Sequence, residues 1–365
     1  MNFDTILHLS CEHAVPIYRS ACQLKAARHI VAVAQEHASI YEHLQQGLPE
    51  GIHLEKVNVQ TSEPDAYTKR LIKVIESLPP GRHALHLYGA SRTVFTILWM
   101  YCRDKGIPCF FPDNETMAYR WANAGETQLQ AFEPVIRKVN DFFHLSGYRL
   151  DEQRATDSLD QSIRNQAAAL AVWEERDRIK TFSQNVRDFS KAPGKPFRIN
   201  SQNVDGMTIA ATLKQPKDGN QGRLILGDQK FVVRPWKDMA SFLCGGWYRD
   251  ALLKRIMEVK DSLGIVDIQT DCEITHEHPL SDMPTRYHID IAYTDGKTLG
   301  LIQTLRRTPE IHHARNLRKT LNGLAHHSGK GVLCSLEDTP HLKETIACWP
   351  DTSVLSGIEN VIQEL

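Results

Sequence analysis

Over the first third of the chain, short apolar runs alternate with stretches whose apolar residues recur every three to four positions. The runs at 5–10, 29–34, 53–59, 84–88 and 109–112 predict strands, and the periodic stretches at 16–26, 35–46, 65–78 and 92–105 predict helices. Strands separated by helices with short connections predict a parallel, doubly wound α/β sheet. Such sheets hold ligands beyond the strand C-termini, at a topological switch point. Two strand ends carry suitable chemistry. Ser10, Cys11, Glu12 and His13 follow the first strand, and Gly89, Ala90, Ser91, Arg92 and Thr93 follow the fourth, just before a helix. Small residues, hydroxyls and an arginine at a helix N-terminus suit a phosphate, which the free N–H groups and the dipole favour.

The periodicity changes further along. Polar helices are predicted at 163–178 and 182–189, then a Pro/Gly-marked break at 192–196. Strands are expected at 207–213 and 223–234, and helix signals run from 238 past Gly245, Gly246 and Trp247 to about 263. The two glycines and the tryptophan also suit a purely structural role, close packing of a helix start. Residues 287–293 alternate with period two, a turn is expected at 294–297, and a second apolar run begins at Leu299, which together predict a β-hairpin. A strand at 331–336, a helix at 341–348, a short strand at 353–355 and a helix at 358–365 complete the expectation.

The hairpin register places Asp290 and Gln303 on neighbouring strands, with Leu305 on the same face. Two side-chain oxygens so placed can share a divalent cation such as Mg²⁺ or Mn²⁺. An amide oxygen brings no negative charge, however, and Leu305 can neither donate a proton nor polarise water. Asp250, Asp271 and Glu273 are further carboxylates within reach of such a site. A second reading makes His276, His278, His288 and Asp290 a histidine-ligated metal centre. The adjacent pairs His312–His313 and His326–His327 cannot both face one metal from a regular helix.

The 365 residues, 41% of them hydrophobic, suffice for two or three cores. A formal net charge of −1 excludes a wholly polyanion-binding surface, so nucleic-acid contact must be local. Arg306, Arg307, Arg315, Arg318, Lys319 and Lys330, opposed within their segment by Glu310 alone, form the candidate patch. The eight cysteines include no Cys-x-x-Cys pair. No signal-like or membrane-spanning run is read, so a cytoplasmic location is expected.

Taken together, these parts resemble the CRISPR-associated proteins that fuse a CARF (Rossmann-fold) sensor to a restriction-endonuclease-like PD-(D/E)xK domain. The resemblance rests on residues 88–92, 242–247, 287–290, 302–305 and 328–331. It implies residues 1–150 as a ring-nucleotide sensor, 151–235 as a helical connector with a β-hairpin, and 236–365 as the nuclease-like domain. It also implies a homodimer that binds a cyclic oligoadenylate, most often the four-membered ring, through Ser10, Gly89, Ala90, Ser91, Arg92 and Thr93. Asp290, Gln303 and Asp250 take the catalytic positions, with Asp290 and Gln303 on Mg²⁺ or Mn²⁺, and DNA or RNA is the target. Gln303 and Leu305 stand where the family has an acid and a lysine. Two functions follow from this: a ligand-activated nuclease, or a nuclease-dead receptor whose C-terminal domain binds nucleic acid or protein.

Overall fold

The computed structural model describes residues 2–9, 13–34, 37–59, 64–123, 126–190, 201–212, 221–235, 238–276, 286–325 and 328–365. In the N-terminal unit, β1 (Asn2–Leu9), β2 (Lys25–Ala34), β3 (Leu54–Val59), β4 (His83–His86) and β5 (Cys109–Asp113) alternate with α1 (Val15–Gln23), α2 (Ala38–Gly47), α3 (Pro64–Glu76) and α4 (Arg92–Asp104). A hairpin, β6 (Ala118–Asn123) and β7 (Glu126–Ala131), extends the sheet to the order β3-β2-β1-β4-β5-β6-β7. The first five strands are parallel and the last two antiparallel. Chain order reverses between β1 and β4, which is therefore the switch point.

Two boundaries differ from the hydropathy reading. The first helix stops at Gln23 because Leu24 is extended and Lys25 pairs with Asn2, so the demand of β1 for a full-length partner overrides the helix propensity of Lys25, Ala26 and Ala27. The hairpin at 118–131 was not expected. It buries Tyr119 and Trp121 against Phe110 and Phe132.

A chain of three histidines lies inside this unit. A ring nitrogen of His8 is 3.1 Å from His86 and its other nitrogen 3.0 Å from His29, with Ser20 Oγ 3.3 Å from both His8 and His86. Burial keeps all three uncharged, holding His29 down to about 4 and His86 to about 3.

Beyond α5 (Val139–Leu145), β8 (Tyr148–Leu150) pairs with a strand of the C-terminal sheet. Two helices follow, α6 (Glu152–Glu174) and α7 (Arg176–Ser190), longer than expected and broken at Glu175. A four-stranded antiparallel sheet comes next, β9 (Gln202–Val204), β10 (Met207–Ala211), β11 (Gly222–Leu226) and β12 (Gln229–Val233). The expected single strand at 223–234 is thus two strands, turned at Gly227 and Asp228. After α8 (Met239–Ser241), one π-helical turn at Phe242–Gly246 leads into α9 (Trp247–Val259). The remaining elements are β13 (Asp267–His276), β14 (Arg286–Thr294), β15 (Leu299–Leu305), α10 (Ile311–Ala325), β16 (Gly329–Ser335), α11 (Pro340–Ile346), β17 (Thr352–Ser356) and α12 (Ile358–Glu364). Their sheet runs β17-β16-β15-β14-β13-β8.

Each face of this second sheet covers its own core. One is shared with the N-terminal unit, where Tyr18 and Leu44 meet Phe142, Phe143, Leu299 and Leu321. The other lies under α6 and α9 and holds Val172, Trp247, Tyr248 and Ile302. The two units are also tied by Arg19, fully buried in α1. It stacks on Phe132 and donates to the Lys297 carbonyl in the turn between β14 and β15 at 2.5 Å.

Candidate functional site

The β14–β15 hairpin forms as the alternation predicts, with Ile291 opposite Ile302 and Thr294 opposite Leu299. Regular alternation then breaks at the residues of interest. Ile268 faces the core under α9, whereas Cys272 and Ile274, of the same parity, face the core shared with the N-terminal unit. The change falls at Asp271, whose φ of 53° is left-handed. On the neighbouring strand Ile291 and Ile289 divide between the same two cores. Asp271 and Asp290 lie between the pairs Thr270–Ile291 and Cys272–Ile289, so the crossover frees both side chains from the cores. Both line a cleft of about 770 Å³.

Asp290 is closely held. Its Oδ2 accepts from Gln303 Nε2 at 2.8 Å, Thr304 N at 2.6 Å and Thr304 Oγ1 at 2.9 Å. The carboxylate thus takes over backbone bonding where the β14–β15 ladder ends. Asp271 Oδ1 accepts from His288 Nε2 at 2.6 Å and is 3.5 Å from Arg249 Nη1, while its Oδ2 accepts from Arg154 Nε at 3.2 Å. Burial alone would raise this carboxyl; the bond from His288 and the Arg249 charge instead hold it down at about 2. The bond to Asp271 in turn raises His288, whose other nitrogen is 3.8 Å from Asp290 Oδ1.

Asp250, buried in α9, accepts from Ser162 Oγ at 2.7 Å and from Arg249 Nε at 3.1 Å, and its burial pushes the carboxyl up. It turns toward α6 and lines an adjoining cleft, with Arg249 shared between the two. Despite burial, Asp250, Asp271 and Asp290 together hold the Arg249 guanidinium more firmly charged than usual. Glu273 is paired with Arg154.

Across the cleft Arg306 lies over Gly245. A Cβ there would come within 2.8 Å of Arg306 Nε, and φ is 143°, so only glycine lets the arginine lie flat against the π-helical turn. Lys180 of α7, Ser183, Thr304, Leu305 and Arg307 complete the lining. Trp247 is 2% exposed and packs with Trp173 and Tyr248, in keeping with a structural role.

The basic segment of the sequence is therefore divided. Arg306 and Arg307 enter the cleft, whereas Arg315, Arg318 and Lys319 lie along α10, where Arg318 pairs with Asp351 and stacks on Trp349. Arg249 and Lys180 were not singled out in the sequence. Arg249 had a readable signal, a cation beside Asp250 in the first turn of a helix, but Lys180 sits in an ordinary polar helix.

The histidine reading of the metal centre fares differently. His276 packs edge-on against Tyr148, His278 lies outside the described residues, and His288 is bonded to Asp271.

The residues also do not suit Mg²⁺ or Mn²⁺. A hard divalent cation needs several free, negatively charged oxygens. Here Asp290 Oδ2 already has three donors, Gln303 turns its N–H toward Asp290, and His288 bridges the two carboxylates. Among the described residues no group of three His, Cys, Asp or Glu side chains is arranged to hold a metal.

In the N-terminal sheet, the 89–93 segment follows β4 at the switch point. Gly89 has φ 76°, Ser91 caps α4 by accepting from Val94 N at 3.4 Å, and Arg92 and Thr93 are exposed in the first turn. Ala90 is half-buried against the sheet. Ser10 lies outside the described residues; β1, which ends at Leu9, pairs with β4 as far as His8 and His86.

No family model matches the sequence, and no curated protein does. The fold has solved counterparts. The protein VC1899 from Vibrio cholerae is similar over 98% of this chain and 95% of its own, with a TM-score of 0.67 at 12% identity. Can2 from Sulfobacillus thermosulfidooxidans, solved in complex with cyclic tetra-adenylate, is similar over 100% of this chain and 98% of its own, with a TM-score of 0.66 at 12% identity. The chain has the fold of Can2 from end to end. The expected architecture, a Rossmann-like doubly wound sheet followed by a second, C-terminal α/β domain, is thereby met. Among the described residues no helix is long and apolar enough to cross a membrane.

Proposed function

We propose that this chain is a cyclic-oligoadenylate receptor of the CRISPR ancillary type, whose C-terminal cleft engages the phosphodiester backbone of DNA or RNA. The carrying observation is the pairing of two sites in one fold shared with a cyclic tetra-adenylate complex. One is a small-residue loop and helix N-terminus at the β1/β4 switch point. The other is a cleft lined by Lys180, Arg249, Arg306 and Arg307. In the sensor, Gly89, Ala90, Ser91, Arg92 and Thr93, with Ser10, which follows Leu9 in the sequence, are the ring contacts. Arg92 and the free N–H groups of α4 meet phosphate. A homodimer suits a symmetric ring because an isologous interface presents the same donors twice. The boundaries at about 150 and 235 and a cytoplasmic setting belong to the same reading.

Ligand-activated cleavage is the second reading. Its support is the adjacency of Asp290 and Gln303 across the hairpin, with catalysis through Asp290, Gln303 and Asp250 and Mg²⁺ or Mn²⁺ as cofactor. One experiment separates the two: incubation with supercoiled plasmid and single-stranded RNA, with and without Mn²⁺ and cyclic tetra- or hexa-adenylate, with ring binding followed calorimetrically. Ring binding without cutting is expected. Ring-dependent cutting lost in Asp290→Ala establishes the nuclease, and absence of ring binding removes the receptor.

A further inference from the structure

We infer that Arg249 occupies, as a built-in cation, the electrostatic role a divalent metal would have in this cleft, so that the C-terminal domain grips phosphodiesters without metal. This rests on the nucleic-acid reading above and deepens it. The guanidinium lies against Asp250 at 3.1 Å and Asp271 at 3.5 Å, anchored in α9 immediately after the π-helical turn. It is covalently part of the fold and only 16% exposed, so it neither dissociates nor yields to chelators. His288 fills the remaining gap, bridging Asp271 and Asp290.

The charge balance of the lining follows. Lys180, Arg249, Arg306 and Arg307 face Asp271, Asp290 and Glu337, and Asp250 holds Arg249 from the adjoining cleft, so four cations meet four carboxylates, with Lys180 paired to Glu337 at 3.0 Å. A site that recruits Mg²⁺ needs an excess of carboxylate, which this lining, with Arg249 seated among its acids, does not have. Arg306, lying flat over Gly245, and the exposed Arg307 are placed to meet successive phosphates. Leu305, where a catalytic lysine is expected, offers the strand end no proton chemistry but a half-buried apolar surface suited to a sugar or base face.

Fluorescence anisotropy with labelled single-stranded DNA, single-stranded RNA and duplex DNA, in EDTA and in Mn²⁺, tests this on the full-length protein with cyclic tetra-adenylate present and absent. Equal affinity in the two buffers is expected, together with a steep fall on adding salt. Arg306→Ala and Arg307→Ala, at surface-accessible positions, should each weaken binding about tenfold while circular dichroism stays unchanged. In parallel, Mn²⁺ titration followed by electron paramagnetic resonance should show no stoichiometric site in the wild type. Arg249→Gln, if soluble, should acquire one that Asp290→Asn removes again. Stoichiometric Mn²⁺ binding by the wild type that is lost in Asp290→Asn, or nucleic-acid binding that requires metal, overturns the inference and leaves the nucleic-acid reading standing. Absence of nucleic-acid binding in every buffer removes that reading and the inference with it.

Discussion

Asp290 separates a structural from a catalytic use of the hairpin through stability alone. Its carboxylate, 8% exposed, has three donors on one oxygen where the β14–β15 ladder stops. A hydrogen bond to a charged group contributes about 1.5–3 kcal/mol net, and three sharing one acceptor do not add fully. Asp290→Ala leaves the Thr304 amide and the Gln303 side chain without their acceptor, and should cost about 3 kcal/mol. With a urea m-value of about 3 kcal/mol per molar, the midpoint falls by about 1 M. Asp290→Asn keeps an acceptor oxygen and should lose roughly half as much. Tryptophan emission is a suitable probe, because Trp247 lines the same cleft as Asp290 and Trp173 packs against it. In a working metal site the apo protein holds mutually repelling carboxylates, and deleting one relieves repulsion. A midpoint unchanged or raised in Asp290→Ala would therefore refute the latch and return Asp290 to catalysis.

Four further outcomes follow from the same geometry. Arg92→Ala should weaken cyclic tetra-adenylate binding roughly 10- to 100-fold by calorimetry, the loss of one charge-assisted phosphate contact; unchanged affinity removes Arg92 from the sensor site. The buried histidines should make the fold acid-labile. Their folded pKa values lie below the unfolded value of about 6.5, so the unfolded chain binds more protons and stability falls as pH drops from about 6.5 toward 4. Three such groups lose at most roughly 6 kcal/mol between pH 6.5 and 5, and replacing His29 with Gln should flatten the pH dependence seen in urea unfolding. Gly300→Ala would drive a Cβ to 2.0 Å from the Tyr293 ring and should destabilise by about 3 kcal/mol, with partial recovery in the Tyr293→Leu background. Arg19→Ala removes the donor to the Lys297 carbonyl and should speed proteolysis between the two units, measurable by limited digestion.

Periodicity and turn chemistry alone determined the alternating N-terminal strands and helices, the switch-point loop at 89–93 and the hairpin that sets Asp290 beside Gln303. These features are local: each depends on a repeat of 2 or 3.6 residues and on the turn residues that bound it. Gln303 and Leu305 were likewise legible in the chain as departures from the acid and lysine of the family that the hairpin resembles. Other features were readable but crossed a threshold only in context. The β13 strand alternates Ile268, Thr270, Cys272 and Ile274 with polar residues, yet Asp271 in a left-handed conformation sends the two halves to different cores. No sequence period encodes that switch, because the pressure for it comes from packing on both sides of one sheet.

Only the tertiary structure decided the charge state of the cleft. Arg249 meets Asp250 as its chain neighbour but Asp271 from a separate strand, and Lys180 and Arg306 arrive from a helix and a hairpin far apart in sequence. It also divided the basic segment, sending Arg306 and Arg307 to the cleft and Arg318 to Asp351. Coulomb interactions depend on distance in space and on local burial, and neither is written in residue spacing. For this chain the sequence could name the groups that carry charge, while the fold determined which of them neutralise one another.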